Sequence, residues 1–389
     1  MQDLRIGVVG YGARGGLARH AHRPGEGSAV TVVCEPTDRG IEDARKRLGD
    51  QVRCVRTLDE LLEQPLDAVM VLSPDHTHAE IARRTLAAGL ATFSEKPMAI
   101  TLDDADSMLT TAREHQTRLY IGHNMRHMPV IRQMKQIIDS GRIGRVRAVW
   151  CRHFVGAGGD FYFKDWHAER SKVTSLLLQK GAHDLDVIHW LAGGYTRRVS
   201  GIGKLAVYGD ITDRRDNSDR RMWDWYSADN WPPTAQTELN PTIDVEDISM
   251  LNLVLDNGVL ANYEQCHFTP DYWRNYTVIG DAGRIENMGD EGGDFINIWT
   301  SRHGGAGRPD AVEVIDRGDG GHGGADPNLV AEFLRFVREG GRTDVSAVAA
   351  REAVATGCVG AESIRTDGSL LEVPALPQDL RDYFDHGQV

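Results

Sequence analysis

Short apolar runs alternate with longer amphipathic segments over the first 123 residues. The runs are rich in Val, Ile and aromatic residues and are brief enough to be strands buried on both faces. The segments between them place apolar side chains at helical spacing, and Thr101 is a suitable N-cap for one of them. Strands that alternate with helices predict a parallel, doubly wound sheet. The predicted strands lie at 6–10, 30–35, 67–73, 91–97 and 118–123.

After residue 123 the pattern becomes mainly β. A helix is predicted near 130–140, and it ends at Gly141. Strand-like segments follow, and the Asp-Asn-Gly and Asp-Ala-Gly turns at 256–258 and 281–283 are typical of antiparallel hairpins. Residues 209–241 form a polar and aromatic insertion with no clear period. The pattern predicts an α+β region with an open, mainly antiparallel sheet.

The fold class expected from these patterns is α/β with two domains, because 389 residues are too many for one comfortable core. Residues 1–123 form the doubly wound domain. Residues 124–389 form an α+β domain that we expect to bind substrate and to mediate oligomerisation. Helical periodicity returns at about 326–365, and these helices could pack back towards the first domain.

Composition narrows the class of partner. The formal net charge of -13 disfavours nucleic acid and anionic membranes. The five cysteines form no regular pattern, which argues against a disulfide scaffold. The sequence also lacks a basic region followed by a long apolar run, and no segment approaches the roughly 20 apolar residues that span a bilayer. We expect a cytoplasmic protein that acts on a small molecule.

The sequence Gly10-Tyr11-Gly12-Ala13-Arg14-Gly15 follows the first strand directly and opens a helix. In that context glycines allow a tight turn and let backbone N–H groups approach a pyrophosphate. Glu35 stands at the end of the next strand, where a carboxylate accepts hydrogen bonds from ribose hydroxyls and repels a 2′-phosphate. NAD is therefore the expected cofactor and NADP is less favoured, although Arg39 could offset the repulsion.

Two further segments carry candidate chemistry. Glu95-Lys96-Pro97 ends the predicted strand 91–97, at the edge where a doubly wound sheet binds ligands, so Lys96 is expected near the nicotinamide. Residues 176–191, LLLQKGAHDLDVIHWL, are apolar on every helical face. They nevertheless contain five protonatable side chains: Lys180, His183, Asp184, Asp186 and His189.

Several motifs in this order resemble the Gfo/Idh/MocA oxidoreductase family, whose members are mostly NAD(P)-dependent dehydrogenases of sugars and cyclitols. The resemblance runs from residue 4 to about 365 and is dense in the first 190 residues. The residues that carry it are the glycine motif, Ser73-Pro74 with His78, Ala87-Ala88-Gly89, Glu95-Lys96-Pro97, Arg126 with Pro129, Gly141-Arg142-Ile143-Gly144, and Gly181-Ala182-His183-Asp184-Leu185-Asp186.

The resemblance implies that Lys96 and His183 meet across the domain boundary at the substrate hydroxyl. Loss of hydride from a carbinol carbon also requires a base within about 3 Å of its oxygen, and a neutral His suits that task. A cation beside the same oxygen stabilises its alkoxide character. Asp186 lies on the helical face of His183 and either orients the imidazole or faces the nicotinamide amide or the substrate.

The cofactor contacts implied by the resemblance and the motifs are Gly10, Gly12, Ala13, Arg14, Gly15, Glu35, Ser73, Pro74, His78, Glu95, Lys96 and Arg126.

One position departs from the family pattern. Many family dehydrogenases have an Asp four residues before the His, whereas this chain has Gln179, which cannot transfer a proton, followed by Lys180. Lys180 either adds a second positive charge near the substrate oxygen, where it favours an alkoxide or binds an acidic or enediol-like group, or it pairs with Asp184 at i+4. We count Lys180 among the catalytic candidates.

Weaker candidates surround the same crevice. We expect His153, Asp165, Trp166, His167, Arg170, Gln179 and His183 to bind substrate, although the loop residues could instead form an oligomer contact. The aromatic residues of the insertion, Trp223, Trp225, Tyr226 and Trp231, suit a sugar platform or an interface equally. His322 could close over the ligand. His76 with His78 and His123 with His127 lack a third ligand at a recognisable spacing, so we expect no metal site.

The sequence thus predicts an NAD-dependent oxidoreductase that acts on a secondary hydroxyl, or the matching ketone, of a sugar, sugar derivative or cyclitol. Similarity to the family suggests a homodimer or homotetramer formed through the exposed face of the open sheet. Two alternatives remain open. One is a glycosidase-type enzyme in which tightly bound NAD oxidises the substrate transiently, and the other is a non-catalytic regulator that senses NAD and a sugar.

Overall fold

In the computed structural model, which describes residues 2–302, 308–318 and 323–388, fifteen strands form two sheets. Strands β1 to β6 are Leu4–Val9, Ser28–Cys34, Arg53–Val55, Ala68–Val71, Ala91–Ser94 and Leu119–Ile121. Strands β7 to β15 are Val146–Val155, Thr196–Lys204, Ile248–Leu255, Leu260–Cys266, Tyr272–Gly280, Arg284–Met288, Phe295–Trp299, Ala311–Val314 and Leu371–Glu372.

Thirteen α-helices lie in the same described ranges. Helices α1 to α7 are Ala18–Ala21, Asp38–Leu48, Leu58–Leu62, His78–Ala87, Leu102–Glu114, Pro129–Asp139 and Gly158–Tyr162. Helices α8 to α13 are Arg170–Val173, Leu176–Gln179, Gly181–Ala192, Ala325–Glu339, Ala347–Arg365 and Gln378–Asp385. None of them is long and apolar enough to cross a membrane.

The chain divides into two compact units, and each is built from separate stretches of sequence. Unit 1 comprises Met1–Asn124, Gly324–Val354 and Leu376–Val389. Unit 2 comprises Met125–Gly323 and Ala355–Ala375. The chain passes from unit 1 to unit 2 within α12.

The sheet of unit 1 has the order β3-β2-β1-β4-β5-β6, and every neighbouring pair is parallel. This confirms the predicted doubly wound sheet, in which the strand order reverses between β1 and β4, the position that marks a ligand crevice in such folds. The sequence pattern missed β3 because its three residues are too few to form a recognisable apolar run. Helix α5 begins as predicted, since the Thr101 side chain accepts a hydrogen bond from the Asp104 N–H at 3.1 Å.

Helix α11 packs against the sheet of unit 1. Phe333 on α11 lies edge-on to Phe93 of β5, with ring centroids 5.5 Å apart, and Tyr120 of β6 donates a hydrogen bond to Glu332 at 2.7 Å. At the edge of the sheet, the Gln388 side chain accepts from the Leu119 N–H at 2.8 Å and donates to the Leu119 carbonyl at 3.0 Å. The C-terminal segments therefore complete the core and one edge of unit 1.

The sheet of unit 2 has the order β14-β13-β12-β11-β7-β10-β9-β8-β15. The β7–β10 pair is parallel and the other pairs are antiparallel, which confirms the predicted open, mainly antiparallel sheet. Both predicted hairpin turns are present, one between β9 and β10 and one between β11 and β12. At the first turn Gly258 has φ +82°, a conformation that favours glycine.

The two faces of this sheet differ. The inner face carries Cys151 and Tyr263, and α10 lies against it closely enough that a Cβ at Gly181 would come within 2.8 Å of the Tyr263 ring. The outer face exposes large apolar side chains, among them Trp150 at 53%, Ile202 at 64% and Leu260 at 57%. Polar and charged side chains share this face with them, among them Arg152, Asn262 and Glu264.

Candidate active site

The glycine loop of unit 1 runs from the end of β1 towards α1. Gly10 has φ +86°, and a Cβ there would lie 2.8 Å from the Ser73 backbone, so only glycine suits this position. The Tyr11 ring is buried and packs over Gly15. A Cβ at Gly12 would meet no described atom within 4 Å. The loop is therefore held on one side and opens at Gly12, as a backbone that approaches a pyrophosphate requires.

Glu35 follows β2 and is buried beside this loop. Its Oε2 accepts from the Tyr11 N–H at 2.8 Å, and its Oε1 accepts from the Thr37 N–H at 3.0 Å and the Thr37 hydroxyl at 2.6 Å. A carboxylate offers about four acceptor positions, and the described contacts use three of them. Glu35 thus fixes the loop and retains an acceptor position on Oε2, which fits a ribose hydroxyl of NAD.

Arg14, a predicted cofactor contact, lies between two carboxylates. Its Nε donates to Glu95 at 2.8 Å, and its two terminal nitrogens donate to Asp326 at 3.2 Å. Burial alone would lower the pKa of Arg14, but the charges of Glu95 and Asp326 outweigh that effect and raise the pKa. Asn124 also donates to Asp326, at 2.9 Å. Arg14 therefore connects the glycine loop to the end of β5 and to the start of α11.

The segment at the end of β5 is braced from a second side. The ring nitrogens of His78, which is fully buried, lie 2.8 Å from the Pro97 carbonyl and 2.9 Å from the Ser73 carbonyl. The Glu95 carboxylate also accepts from the Lys96 N–H at 2.9 Å. The structure thus brings most of the predicted cofactor residues together in unit 1 and sets Lys96 at the carboxyl end of β5.

Helices α9 and α10 of unit 2 carry the second group of candidates. Ser175 caps α9 by accepting from the Leu178 N–H at 3.2 Å, and α10 ends at Gly193 with φ +69°. Both helices are buried on nearly every side, as their apolar sequence predicts. His183 lies in the first turn of α10 and is half-buried.

Asp184 enters a charged cluster on the inner face of the sheet. Register pairs Cys151 with Tyr263 and Tyr276, and it pairs His153 with Gln265 and Arg274, so these residues form two rows across three strands. Among the described residues, the partners of Asp184 are Arg274 at 3.1 Å, His153 at 3.0 Å, Tyr263 at 3.0 Å, Tyr276 at 2.5 Å and the Cys151 thiol at 3.8 Å.

The electrostatics of this cluster keep Asp184 ionised and His153 neutral. Burial alone would raise the pKa of Asp184, but Arg274 and His153 outweigh it and hold that pKa below its ordinary value. Burial and the Arg274 charge lower the pKa of His153 to about 3. The neutral ring donates from Nδ1 to Asp184. His153, predicted to bind substrate, is therefore anchored in the sheet through Nδ1, and its Nε2 has no partner among the described residues.

Asp186 forms a different pair. Its two oxygens accept from Arg126 Nε and Nη2, both at 2.7 Å, and the Arg126 guanidinium lies 5.2 Å from the centre of the Trp190 ring. Both charged side chains are buried. Arg126 was predicted as a cofactor contact and Asp186 as a catalytic partner, whereas the described contacts join them to each other.

Lys180 lies at the junction of α9 and α10. Its ammonium is 5.9 Å from the centre of the Tyr162 ring, and its charge acts on the His153 and His267 imidazoles. The Tyr162 ring meets His267 edge-on at 5.1 Å. Asp184, the alternative partner named for Lys180, has its oxygens occupied by the cluster of the inner face. Gln179 is buried directly before Lys180.

The loop before α8 brings three predicted substrate residues together. Asp165 accepts from the His167 N–H at 3.1 Å and contacts the His167 ring at 2.5 Å, and the Trp166 and His167 rings stack at 3.7 Å. Arg170 is drawn away from them, because it donates to Glu246 at 3.1 Å. His322 lies outside the described residues.

The 209–241 insertion braces α7, the helix that precedes this loop, through Asp160. Asn230 and Gln236 donate to the two Asp160 oxygens at 2.7 and 3.1 Å, and the Trp225 indole donates to its backbone carbonyl at 2.8 Å. Trp225 is therefore a structural anchor. By contrast Trp223, Tyr226 and Trp231 are exposed.

Sequence reasoning missed several residues of these clusters. Tyr263 and Gln265 on β10 and His267 directly after it alternate with other residues, and this period of two was a usable signal for a polar stripe on a buried face. Asp326 stands at the start of a predicted helix, but nothing local indicated Arg14 as its partner. The contact spans 312 positions of the chain.

Comparisons with known proteins agree with this architecture. Two family models match the chain, "Oxidoreductase family, NAD-binding Rossmann fold" over residues 4–123 and "GFO/IDH/MocA C-terminal domain" over residues 131–286. Inositol 2-dehydrogenase of Ralstonia nicotianae is 33% identical over 49% of this chain and 55% of that protein. The 2,7-anhydro-N-acetylneuraminate hydratase of Mediterraneibacter gnavus is 28% identical over 60% of this chain and 64% of that protein. The chain thus spans little more than half the length of these curated relatives.

Solved structures match over nearly the whole chain. Levoglucosan dehydrogenase in complex with NADH and levoglucosan superposes with a TM-score of 0.78 at 19% identity, covering 96% of this chain and all of that one. Myo-inositol 2-dehydrogenase from Lactobacillus plantarum superposes with a TM-score of 0.71 at 18% identity, again covering 96% of this chain and 100% of that one. At these identities the superpositions establish the shared fold.

Proposed function

Because the chain belongs to the Gfo/Idh/MocA oxidoreductase family and has its NAD-binding Rossmann domain, we propose that it is an NAD-dependent dehydrogenase of a sugar, sugar derivative or cyclitol. It transfers a hydride between nicotinamide and a secondary hydroxyl or the matching ketone. The observation that carries the proposal is the bracing of Lys96. Arg14 holds Glu95 on one side and His78 contacts Pro97 on the other, so Lys96 is fixed at the strand edge where doubly wound sheets bind ligands.

The proposed roles follow from the chemistry of alcohol oxidation. When bound, NAD supplies the hydride acceptor. Lys96 stabilises the negative charge that develops on the substrate oxygen, and His183 takes the hydroxyl proton or returns it in the reverse direction. Asp186 acts through its ion pair with Arg126, which holds α10 and so positions His183.

The glycine loop and Glu35 support NAD over NADP as the cofactor. The Gly12 backbone faces open space for a pyrophosphate, and the remaining acceptor position of Glu35 suits a ribose hydroxyl. A 2′-phosphate would lie beside the Glu35 carboxylate, and two adjacent negative charges repel each other.

A purified-protein assay tests the proposal. The protein is incubated with NAD or NADP and a panel of hexoses, hexuronates, cyclitols and aryl glycosides, and nicotinamide absorbance is followed. We expect net formation of NADH with at least one sugar or cyclitol. Binding of NAD without net hydride transfer to any substrate would contradict the dehydrogenase assignment.

A redox-neutral reaction is the second candidate, and one relative favours it. The Mediterraneibacter gnavus relative is named a hydratase, and hydration involves no net oxidation. In this chain Gln179 replaces the acid that many family dehydrogenases carry, which alters the proton relay. Cleavage of an aryl glycoside, or hydration of an unsaturated sugar, with no accumulation of NADH would identify this reaction.

We also propose that the chain forms a homodimer or homotetramer through the outer face of the second sheet. Trp150, Ile202, Met250 and Leu260 are exposed on that face, and contact with a second copy would remove them from water. Light scattering of the wild type and of Trp150→Glu tests this. The wild type should be oligomeric and the variant monomeric, whereas a monomeric wild type would refute the proposal.

A further inference from the structure

We propose that the substrate carries a carboxylate, which Lys180 and His267 recognise on the inner face of the second sheet. This inference rests on the proposed dehydrogenase function and narrows its substrate class to acidic sugars. We call Lys180, Tyr162, His153 and His267 the Lys180 cluster. All four belong to unit 2.

The strand register locates the cluster. Asp184 lies against the two rows formed by Cys151 and His153 with their neighbours. His267 continues the alternation of β10 by one step and so begins a third row beside Val155, which pairs with Tyr272. Lys180 precedes Asp184 by one helical turn, a rise of about 6 Å. The Lys180 charge contributes to lowering the pKa of His153 in the second row and of His267 in the third.

His267 is a buried polar side chain with unused hydrogen-bonding capacity, as expected of a ligand-binding residue. The side chain is fully buried, and neither ring nitrogen has a hydrogen-bond partner among the described residues. Burial, followed by the neighbouring His153 and Lys180, lowers the pKa of His267, so the ring is neutral and offers one N–H donor. Buried polar groups nearly always have partners, so two unpartnered nitrogens on one ring call for an explanation. His153 Nε2 is unpartnered in the same way.

The acids near the cluster would not repel a bound carboxylate strongly. Asp184 is compensated by Arg274, and Asp160 by Lys164 at 3.6 Å. Asp165 is engaged by His167. Gln179 stands where many family dehydrogenases have an acid, so one further negative charge is missing directly beside Lys180. The cluster therefore combines one cation, Lys180, with one neutral imidazole donor, His267, because the neutral His153 ring already donates from Nδ1 to Asp184.

The donor set favours a carboxylate over other groups. A sugar hydroxyl could accept from the imidazole or the ammonium, but it carries no charge and so would not offset the buried ammonium charge as a carboxylate does. A phosphate presents about two charges and three strong acceptor oxygens, which exceed what one ammonium and the one donor nitrogen of His267 supply. A carboxylate has a single charge and two oxygens that can accept from Lys180 and His267 together.

Matched pairs of hexose and hexuronate test the inference: glucose with glucuronate, galactose with galacturonate, and mannose with mannuronate. The readouts are kcat/KM for NADH formation and calorimetric binding of each sugar to the NADH-loaded protein. We expect at least one hexuronate to exceed its hexose by tenfold or more in kcat/KM. In Lys180→Met and in His267→Leu this acid-to-neutral ratio should fall to about one, chiefly through KM for the acid, whereas Lys180→Arg should retain the preference.

Lys204→Met is the matched control, because Lys204 is an exposed lysine at the end of β8, and its acid-to-neutral ratio should equal that of the wild type. Equal or better use of the neutral sugars, or no binding of any hexuronate, would overturn the inference and leave the proposed function standing. Absence of NAD binding and of hydride transfer with every sugar would refute the proposed function itself. If Lys180→Met does not fold, the ratio in Lys180→Arg and His267→Leu decides the question.

Discussion

Arg126 and Asp186 form a bidentate ion pair in which both N–O distances are 2.7 Å and both side chains are buried. The pair joins the segment before α6 to the middle of α10, 60 positions later in the chain. The Trp190 ring covers the guanidinium from the next turn of the same helix. The position of α10, and with it that of His183, depends on this pair.

Loss of one partner of the pair should be costly. Arg126→Met leaves the Asp186 carboxylate buried without its cation, so we expect the free energy of unfolding to fall by about 3–5 kcal/mol. Arg126→Lys keeps the charge but loses the two-pronged geometry of the guanidinium. Its free energy of unfolding should lie between those of Arg126→Met and the wild type. Chemical denaturation measures all three proteins. A loss below about 1 kcal/mol in Arg126→Met would show that the pair does not stabilise the fold.

Substitution of the two candidate catalytic residues should lower the turnover rate far more than it lowers cofactor binding. Lys96→Met and His183→Asn should each lower kcat by about 10²–10⁴-fold, the range typical of a lost acid–base or charge-stabilising group. NADH binding, followed by nicotinamide fluorescence, should change little in His183→Asn, whereas Lys96→Met also removes an expected cofactor contact and should weaken it moderately. Lys204→Met serves as the control. Full turnover in both variants would contradict the roles given to Lys96 and His183, whereas NAD binding with no turnover in the wild type would favour the non-catalytic regulator.

Cofactor choice should depend on the Glu35 charge. Glu35→Gln keeps the size of the side chain but removes a charged acceptor, so NAD should bind more weakly by about 1.5–3 kcal/mol, the usual value of a hydrogen bond to a charged group. The same change should improve use of NADP relative to NAD. Titration with both dinucleotides checks the ratio, and Glu42→Gln on α2 is a surface control. An unchanged ratio would mean that Glu35 only fixes the glycine loop.

Three buried histidines with lowered pKa values, His153, His189 and His267, should make the protein sensitive to mild acid. The folded-state pKa is lowered to about 3 for His153 and to about 4 for His189, in both cases chiefly by burial. The unfolded chain therefore binds protons that the folded chain does not, and stability falls as the pH drops below the unfolded value of about 6.5. Asp184, whose pKa is lowered, loses its contribution only below about pH 4.

Each of these histidines should contribute a slope of about 1.4 kcal/mol per pH unit between about pH 6 and pH 4. His189 contacts Thr196 and is remote from the proposed proton transfer, so His189→Gln is the variant to measure. Its unfolding free energy should vary less steeply with pH than that of the wild type. His115→Gln, at an exposed position, should follow the wild-type curve. Parallel curves for His189→Gln and the wild type would refute the assignment.

Local patterns predicted the fold well. The glycine motif, the buried strands and the hairpin glycines each depend on residues close together in the chain, and the structure contains all three. The three-residue β3 escaped detection because a period cannot be read from so few positions. Tertiary pairing was beyond local patterns. His183 and Asp186 both lie on α10, three residues apart, as the helical pattern predicted. The partner of Asp186, however, is Arg126 in the segment before α6.

The Asp184 cluster shows the same limit more strongly. Its partners lie on β7, β10 and β11, between 31 and 92 positions away. From the sequence, Asp184 was at most a neighbour for Lys180 at i+4, because local spacing was the only guide. The contacts of the 209–241 insertion could not be predicted from local patterns either, because Asp160 lies about 70 positions before its partners Asn230 and Gln236.

Gln388 has a consequence for how molecules of this protein meet in solution. Strand β6 is the last strand of its sheet, and the Gln388 amide presents to Leu119 the same donor and acceptor that a neighbouring peptide group would offer. An uncovered strand margin can recruit a strand from a foreign chain and start aggregation. The Gln388 side chain thus caps the edge of the sheet at Leu119. In Gln388→Ala this part of the β6 edge would be open to pairing with a strand of another molecule.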